Sequence, residues 1–218
     1  MAAAAQQRAG PALAFAIDGA HALEHAAVPT LAFQLRVSSD RPVQSVQLDV
    51  QLQIAARRRS YGDYEQERLW ELFGAPDRWS DTLRTLPWLR TTLVVPPFAD
   101  TTVVELPVVC TYDLEVTAAR YFASLAGGEV PLEFLFNGAV FYAGDDGRLQ
   151  TVRIGWDSEA DYRMPLAVWR AAIDRHFPGS AWLRLGREPF DRLQAFKARR
   201  GLLSIDEAVE KLLDEAGD

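Results

Sequence analysis

The sequence has almost no cysteine: Cys110 is the single one among 218 residues. An intrachain disulfide needs two cysteines, and the common structural zinc sites need two or more, so both are excluded. Nickel and iron–sulfur sites built from several thiolates are excluded for the same reason. Such low cysteine usage is typical of a reducing compartment. We therefore predict a cytoplasmic protein that carries no cofactor.

Long apolar runs and an excess of positive charge are also lacking. No uninterrupted apolar stretch reaches the length of a membrane span, and polar residues follow Met1–Ala5 before a signal-type core can form. We predict neither membrane insertion nor export. The net charge of −7 disfavours a broad surface for nucleic acid or anionic lipid. Any contact with a polyanion is therefore expected to be local.

Motifs of known enzyme classes are missing as well. The chain has no G-x-G-x-x-G, no phosphate loop and no G-x-S-x-G elbow. With only His21, His25 and His176 available, a Ser-His-Asp arrangement would have to form without any local sign of it. The sequence favours a non-enzymatic protein, and a hydrolase with an unrecognised site is kept as an alternative.

What the chain does have is alternation of apolar and polar residues. Residues 31–37 and 46–54 each place apolar side chains at every second position, the pattern of antiparallel strands with one buried face. Asp40 and Pro42 between them have turn chemistry, which predicts a hairpin. Further strands are predicted at 91–95, 102–110, 130–143 and 149–154.

Proline and glycine refine these strands. Pro107 predicts an edge strand or a bulge, because proline cannot donate to a sheet ladder. Asn137-Gly138 predicts a bulge or kink within one strand. Residues 144–147 have the chemistry of a hairpin turn.

Helical spacing appears at residues 64–73, 113–125 and 165–177. The predicted fold class is α+β: a mainly antiparallel, sandwich-like sheet domain with inserted helices over residues 12–156. A helical C-terminal region over residues 157–218 is expected to follow.

Two groups of residues invite a binding role. His21 and His25, with Glu24, would share one face of a short helix and could bind a metal, but no third ligand is specified, so a solvated or capping role is favoured. Arg57–Arg59 beside Tyr61 could bind single-stranded nucleic acid. Acidic residues follow at once, so a solvated strand end is favoured.

Two further groups invite a chemical role. The acidic cluster at 157–161 could supply paired carboxylates, yet its place before a helix favours interaction with the helix N-terminus. Cys110 has no neighbouring base in the sequence, and we expect it in the core.

The stretch Trp182–Leu213 resembles a ribbon–helix–helix unit. A short strand at Trp182–Gly186 would be followed by helices at Glu188–Arg200 and Ser204–Glu215, the second begun by a capping box of Ser204 and Glu207. The resemblance implies that strands of two subunits pair in the major groove of DNA. The residues that would face DNA, or another partner, are Trp182, Arg184 and Arg187.

Charge argues against the DNA interpretation. Residues 180–201 hold six basic and two acidic side chains, whereas residues 204–218 hold one basic and six acidic ones. Asp206 and Glu207 would repel a phosphate at the start of the second helix. A tail that packs on the protein or docks on a partner is therefore favoured over contact with nucleic acid.

Several landmarks resemble an actinobacterial family of unknown function, over roughly Pro29 to Leu213. They are Glu67–Gly74, Pro76–Trp79, Leu106–Asp113, Gly138–Phe141 and Trp169–Pro178. Genes of that family lie near those of uptake [NiFe]-hydrogenases, which implies an accessory role in hydrogenase assembly or electron transfer. The resemblance supplies no catalytic residues.

The leading prediction is thus a non-enzymatic cytoplasmic accessory or binding protein with a protein partner, possible candidates being hydrogenase or its accessory proteins. The alternative from another class is a ribbon–helix–helix-like DNA-binding regulator that dimerises through Trp182–Leu185. The sequence sets no oligomeric state.

Overall fold

A computed structural model describes residues 10–155, 157–180, 182 and 184–217. The chain divides into two compact units, one ending at Ala181 and the other beginning at Trp182. The first unit is a two-sheet antiparallel sandwich with inserted helices, and the second is helical. The predicted fold class is therefore confirmed. The predicted lack of a signal segment at Met1–Ala5 concerns residues outside the described part.

Two antiparallel sheets form the first unit, and their strand orders are β1-β2-β5 and β4-β3-β6-β7, with β8 also paired to β6. The long strand β6 holds β8 along its first half and β7 along its second. The strand bounds are β1 Leu13–Ala22, β2 Thr30–Ser39, β3 Ser45–Ile54, β4 Leu86–Val95, β5 Thr101–Val109, β6 Glu129–Ala143, β7 Leu149–Arg153 and β8 Glu159–Pro165.

The core lies between the sheets because strands of both present an apolar side chain at every second position. Phe33 of the first sheet meets Phe134 of the second edge to face, with ring centroids 5.1 Å apart. Phe15 stacks on Phe136 at 4.3 Å. These cross-sheet pairs bury large apolar areas and join the two layers.

The inserted helices lie close to the predicted helical segments, except for one short helix at Trp79–Thr82, where no helix is predicted. In chain order they are α1 Asp63–Arg68, α2 Trp70–Phe73, α3 Trp79–Thr82, α4 Thr117–Ser124 and α5 Leu166–His176. Phe122 of α4 lies between Trp88 and Trp169, at 4.9 and 5.2 Å, and so connects strand β4 to helix α5. Within the described residues, no helix has the length and apolar character needed to cross a membrane.

The predicted hairpin of residues 31–37 and 46–54 is wrong. β2 pairs with β1 and β5, whereas β3 pairs with β4 and β6 in the other sheet. Residues 40–44 carry the chain from one sheet to the other, and the Val43 N–H donates to the Phe98 carbonyl at 2.8 Å. Both strands have one fully buried face, and these faces cover each other across the core instead of lying side by side.

Of the three predictions made from proline and glycine, the edge strand and the hairpin turn at residues 144–147 are correct, and the bulge is wrong. Pro107 lies in β5, which is an edge strand as predicted. β6 continues through Asn137-Gly138, but without the predicted bulge, since its register with β3 is unbroken. Gly138 has φ 141°, and a Cβ there would lie 2.0 Å from the Gln47 carbonyl oxygen. Glycine is needed at this position for close backbone approach.

The sheet continues past residue 156, so the predicted helical region 157–218 begins instead with a strand. Ala160 and Met164 of β8 are buried at alternate positions and complete the core beside β6. Asp161 points outwards and pairs with Arg58 at 2.7 Å. The acidic cluster therefore does not serve the N-terminus of α5, because Asp161 is part of a sheet ladder that ends at Pro165.

The second unit contains α6, Arg187–Arg200, and α7, Ile205–Ala216. The predicted cap is present: the Glu207 N–H donates to Ser204 Oγ at 3.0 Å, and Glu207 Oε2 accepts from the Leu203 N–H at 2.8 Å. Residues 182 and 184–186 form no strand in the single chain. A ribbon needs a second subunit, so the ribbon–helix–helix resemblance remains a prediction.

Candidate binding surfaces

The three residues singled out as partner or DNA contacts lie at the start of the second unit. Trp182 is 56% exposed and, like the exposed Arg184, lies in coil. Arg187 begins α6 and borders a shallow groove of about 490 Å³ along that helix, shared with Glu188 and Asp191. Their role in binding remains a prediction.

His21 and His176 contact other groups of the protein. His21 lies on strand β1, so the helical pair with His25 does not form, and its Nε2 is 3.4 Å from Glu105 Oε1. The ring nitrogens of His176 lie 3.0 and 2.9 Å from the carbonyl oxygens of Ala172 and Ala26. In the part of the chain that the structure describes, no three His, Cys, Asp or Glu side chains converge as metal ligands.

Cys110 belongs to the core, as predicted. It is 3% exposed, and burial raises the pKa of its thiol to about 12. Its Sγ lies 3.7 Å from the Val108 carbonyl oxygen. A thiol in this environment stays protonated at neutral pH and is a poor nucleophile.

The arginine run Arg57–Arg59 contacts other groups of the protein, although Arg57 and Arg58 remain exposed to solvent, as predicted for a strand end. Arg57 donates to the carbonyl of Leu83, and Arg58 bridges Glu133 at 3.0 Å and Asp161 at 2.7 Å. The run directly follows β3, and its bonds attach this part of the chain to neighbouring segments. The sequence did not indicate these partners, because Leu83, Glu133 and Asp161 come from distant segments.

Arg59 is the most buried of the three and forms a bidentate pair with Glu65, at 2.9 and 2.8 Å. It also donates to the carbonyls of Gly127 and Glu129. Burial opposes ionisation of Glu65, but the bonds from Arg59 and from the Ala126 N–H outweigh it and lower the Glu65 pKa. This network fixes α1 to the turn between α4 and β6.

Tyr61 and Tyr121 extend the same network. The Tyr61 hydroxyl donates to the Ala56 carbonyl at 2.8 Å, so the Tyr121 hydroxyl, 2.8 Å away, is the donor to Tyr61. Tyr121 is fully buried, and burial raises its pKa. All these polar groups have partners within the protein, which is typical of a structural network.

A groove of about 1220 Å³ lies on the outer face of the sheet that contains β3 and β6. Its floor is the row of polar side chains that alternate with the core residues of β3. Strand register places Asp49 between Thr92 and Asn137, and Gln51 between Arg90 and Leu135. The polar residues that line it are Asp49, Gln51, Arg90, Thr91, Thr92, Asn137 and Arg153.

The groove carries two positive charges against one negative charge, in a chain whose net charge is −7. Within the described residues, neither Arg90 nor Arg153 forms an ion pair. The amides of Gln51 and Asn137 and the hydroxyl of Thr92 add neutral hydrogen-bonding groups. Such a surface suits an anionic, hydrogen-bonding ligand.

Sequence reasoning missed this groove. The polar alternation of β3 correctly indicated a wet face, but Arg90 and Arg153 reach that face only because β4 and β7 flank β3 and β6. No local pattern marks either arginine.

Fold and surfaces together define an antiparallel β-sandwich protein with a separate two-helix C-terminal unit. The chain belongs to DUF6084, a family of unknown function, whose model matches residues 10–218. The predicted resemblance to a family of unknown function is thus confirmed, while its link to hydrogenase genes remains a prediction.

Other comparisons add little. A search of curated proteins found no match. A crystal structure of a β-glucosidase from Kluyveromyces marxianus is similar to 71% of this chain and 15% of its own, at 8% identity and a TM-score of 0.28. The chain therefore spans only a small part of that enzyme, and a likeness this weak carries no argument about fold or activity.

Proposed function

We propose that this protein is a non-enzymatic, cytoplasmic accessory protein that binds an extended acidic segment of a partner protein. The observation that carries the proposal is the groove on the outer sheet face, where Arg90 and Arg153 stand without an ion pair among the described residues. In an acidic chain, unpaired arginines of this kind favour an anionic partner.

Strand geometry suggests the length of that segment. Arg90 and Arg153 are three strands apart, and their positions are offset by four residues along β6. With about 4.8 Å between strands and about 3.3 Å per residue, their Cα atoms are roughly 20 Å apart. An extended peptide of roughly six residues spans that distance. Acidic side chains near its ends would meet the two guanidinium groups, and Leu135 offers an apolar contact between them.

The non-enzymatic part of the proposal is supported by the state of the reactive groups. Cys110 is buried with a raised pKa, and Glu65 is held by Arg59. The identity of the partner follows from the family resemblance: a hydrogenase subunit or a protein of hydrogenase assembly or electron transfer is the first candidate.

The groove is tested with a labelled hexaglutamate peptide, titrated against the full chain by fluorescence anisotropy. We expect saturable binding that weakens at least about tenfold in the double variant Arg90→Ser with Arg153→Ser, since loss of two charged hydrogen bonds removes more than about 1.4 kcal/mol. The matched control is Arg148→Ser, an exposed arginine at the β6–β7 turn, which should bind like wild type. If wild type, the double variant and the control bind the peptide equally, or if none of them binds it, the groove is not the binding site.

The partner is tested by tagging the full chain in its native host. We expect identified hydrogenase subunits or their accessory proteins to copurify with wild type and to be depleted with the double arginine variant. Their enrichment to the same level with both chains would overturn the role of the groove, and their consistent absence would overturn the hydrogenase link.

DNA binding through Trp182 and Arg184 is the rival. The two observed helices and the Ser204 cap agree with the ribbon–helix–helix resemblance. Asp206 and Glu207 occupy the first turn of α7 and disfavour a phosphate there. A gel shift at low salt with the upstream DNA, abolished by Arg184→Ala, would favour the rival over the accessory function.

A further inference from the structure

The second unit does not cover its own apolar side chains. Among its described residues only Ala208 is buried. Phe190 of α6 is 43% exposed, and Leu212 and Leu213 of α7 are 41% and 49% exposed. We call five apolar side chains of these two helices the helix face: Phe190, Leu193, Val209, Leu212 and Leu213.

A unit of this size needs help to stay folded. It spans Trp182–Asp218 and contains no cysteine. Domains below about 40 residues usually depend on disulfides, metals or association with another chain. Because the unit has no cysteine, it cannot be stabilised by a disulfide. Contact with another chain would bury the helix face and so stabilise α6 and α7.

The charges of the unit indicate which chain covers it. The unit holds seven basic and eight acidic residues, so it is almost neutral, while α6 has five basic and two acidic residues and α7 has one basic and five acidic. One half is therefore complementary to the other. Under a two-fold axis, α6 of one copy meets α7 of the second copy twice, which closes the assembly.

From this complementarity we infer that the helix face is a homodimer interface, in which two copies of the chain pair their C-terminal units. Basic side chains of α6 in one copy lie against acidic side chains of α7 in the other. The inference goes beyond the proposed function, because it concerns the C-terminal unit and not the groove on the sandwich. A membrane as the occupant is disfavoured, since α7 carries a single lysine among five acidic residues.

Analytical ultracentrifugation of the full chain tests the dimer. We expect wild type at twice the monomer mass and the variant Val209→Asp with Leu212→Asp at the monomer mass. The control is Leu149→Asp, an equally apolar residue that is 68% exposed on β7 and should leave the dimer intact. A monomeric wild type, or a dimer that survives the double variant, would overturn the inference. So would a dimer dissolved by Trp182→Ala alone.

A second test reverses charges on α6 or on α7, and it does not depend on whether the variant Val209→Asp with Leu212→Asp folds. One chain carries Arg192→Glu and Lys197→Glu, and the other carries Glu210→Lys and Asp214→Lys. We expect each to be monomeric alone and the mixture to form heterodimers, while circular dichroism shows helix in both. Failure of the mixture to associate would contradict pairing of α6 with α7 between copies.

Discussion

The two units of this protein handle apolar surface in opposite ways. The sandwich completely buries several large side chains, among them Tyr121, Phe33 and Phe134, and its buried side-chain nitrogen and oxygen atoms all have hydrogen-bond partners within the described residues. The helical unit buries only Ala208 among its described residues. A sandwich of this kind carries its own stability, whereas the two helices depend on what covers them.

The two units also differ in how their charged side chains are arranged. In the sandwich, Arg59 and Glu65 are side chains with 11% and 8% exposure that satisfy each other. In the helical unit, opposite charges are sorted onto separate, exposed helices, and Arg200 and Glu215 pair at 2.9 Å with about half of each side chain in solvent. The first arrangement fixes one conformation, and the second suits recognition.

The largest effect is expected from Glu65→Ala, which leaves the Arg59 guanidinium buried without its carboxylate. We expect a loss of about 3–5 kcal/mol in the free energy of unfolding, measured by urea denaturation. The control is Glu67→Ala on the exposed side of α1, with a change within about 0.5 kcal/mol. Similar losses in the two variants would mean that the sandwich does not depend on this pair.

The same variant has a defined pH signature. The folded-state pKa of Glu65 is lowered, so its contribution is present above the unfolded pKa of about 4.3 and is lost as pH falls through the folded value. The difference in stability between wild type and Glu65→Ala should therefore shrink at acidic pH.

An intermediate effect is expected at alkaline pH from Cys110. Its folded pKa of about 12 lies above the unfolded value of about 8.5, so its contribution is full below the unfolded value and is lost as pH rises towards the folded one. Between pH 8.5 and 10 this loss is about 2 kcal/mol. Comparing urea denaturation of wild type and Cys110→Ala over this range measures it. Rapid reaction of the native thiol with a disulfide reagent at pH 8 would contradict the buried placement.

The smallest effect is expected from Ser204→Ala, which removes the cap of α7. We expect a loss of about 1 kcal/mol, seen as faster amide hydrogen exchange in α7. Ser60→Ala, at an exposed coil position in the sandwich, is the control and should leave α7 unchanged. If exchange in α7 is already at the unprotected rate in wild type, the helical unit is not folded and the comparison of the two units fails.

Local sequence patterns predicted most of the strands and helix ends, whose formation depends on residues that are close in the sequence. Alternation located β2 to β7 but not β8, and Ser204 with Glu207 marked the start of α7. Which strands are neighbours depends on long-range packing, so β2 and β3 were wrongly joined into a hairpin. The groove was missed for the same reason, because Arg90 and Arg153 come together only through the order of the strands.

Because the chain passes from one sheet to the other after β2, the two strands that pair with β2 are synthesised at different times. Leu31 of β2 pairs with Val108 of β5, which is synthesised far later. At about 5–20 residues per second, the roughly 60 residues between these strands take about 3–12 s to emerge. During that interval β1 is the only neighbour of β2 that already exists. We expect the β1–β2 hairpin, with its Asp18–Arg36 ion pair, to protect the nascent chain until β5 arrives.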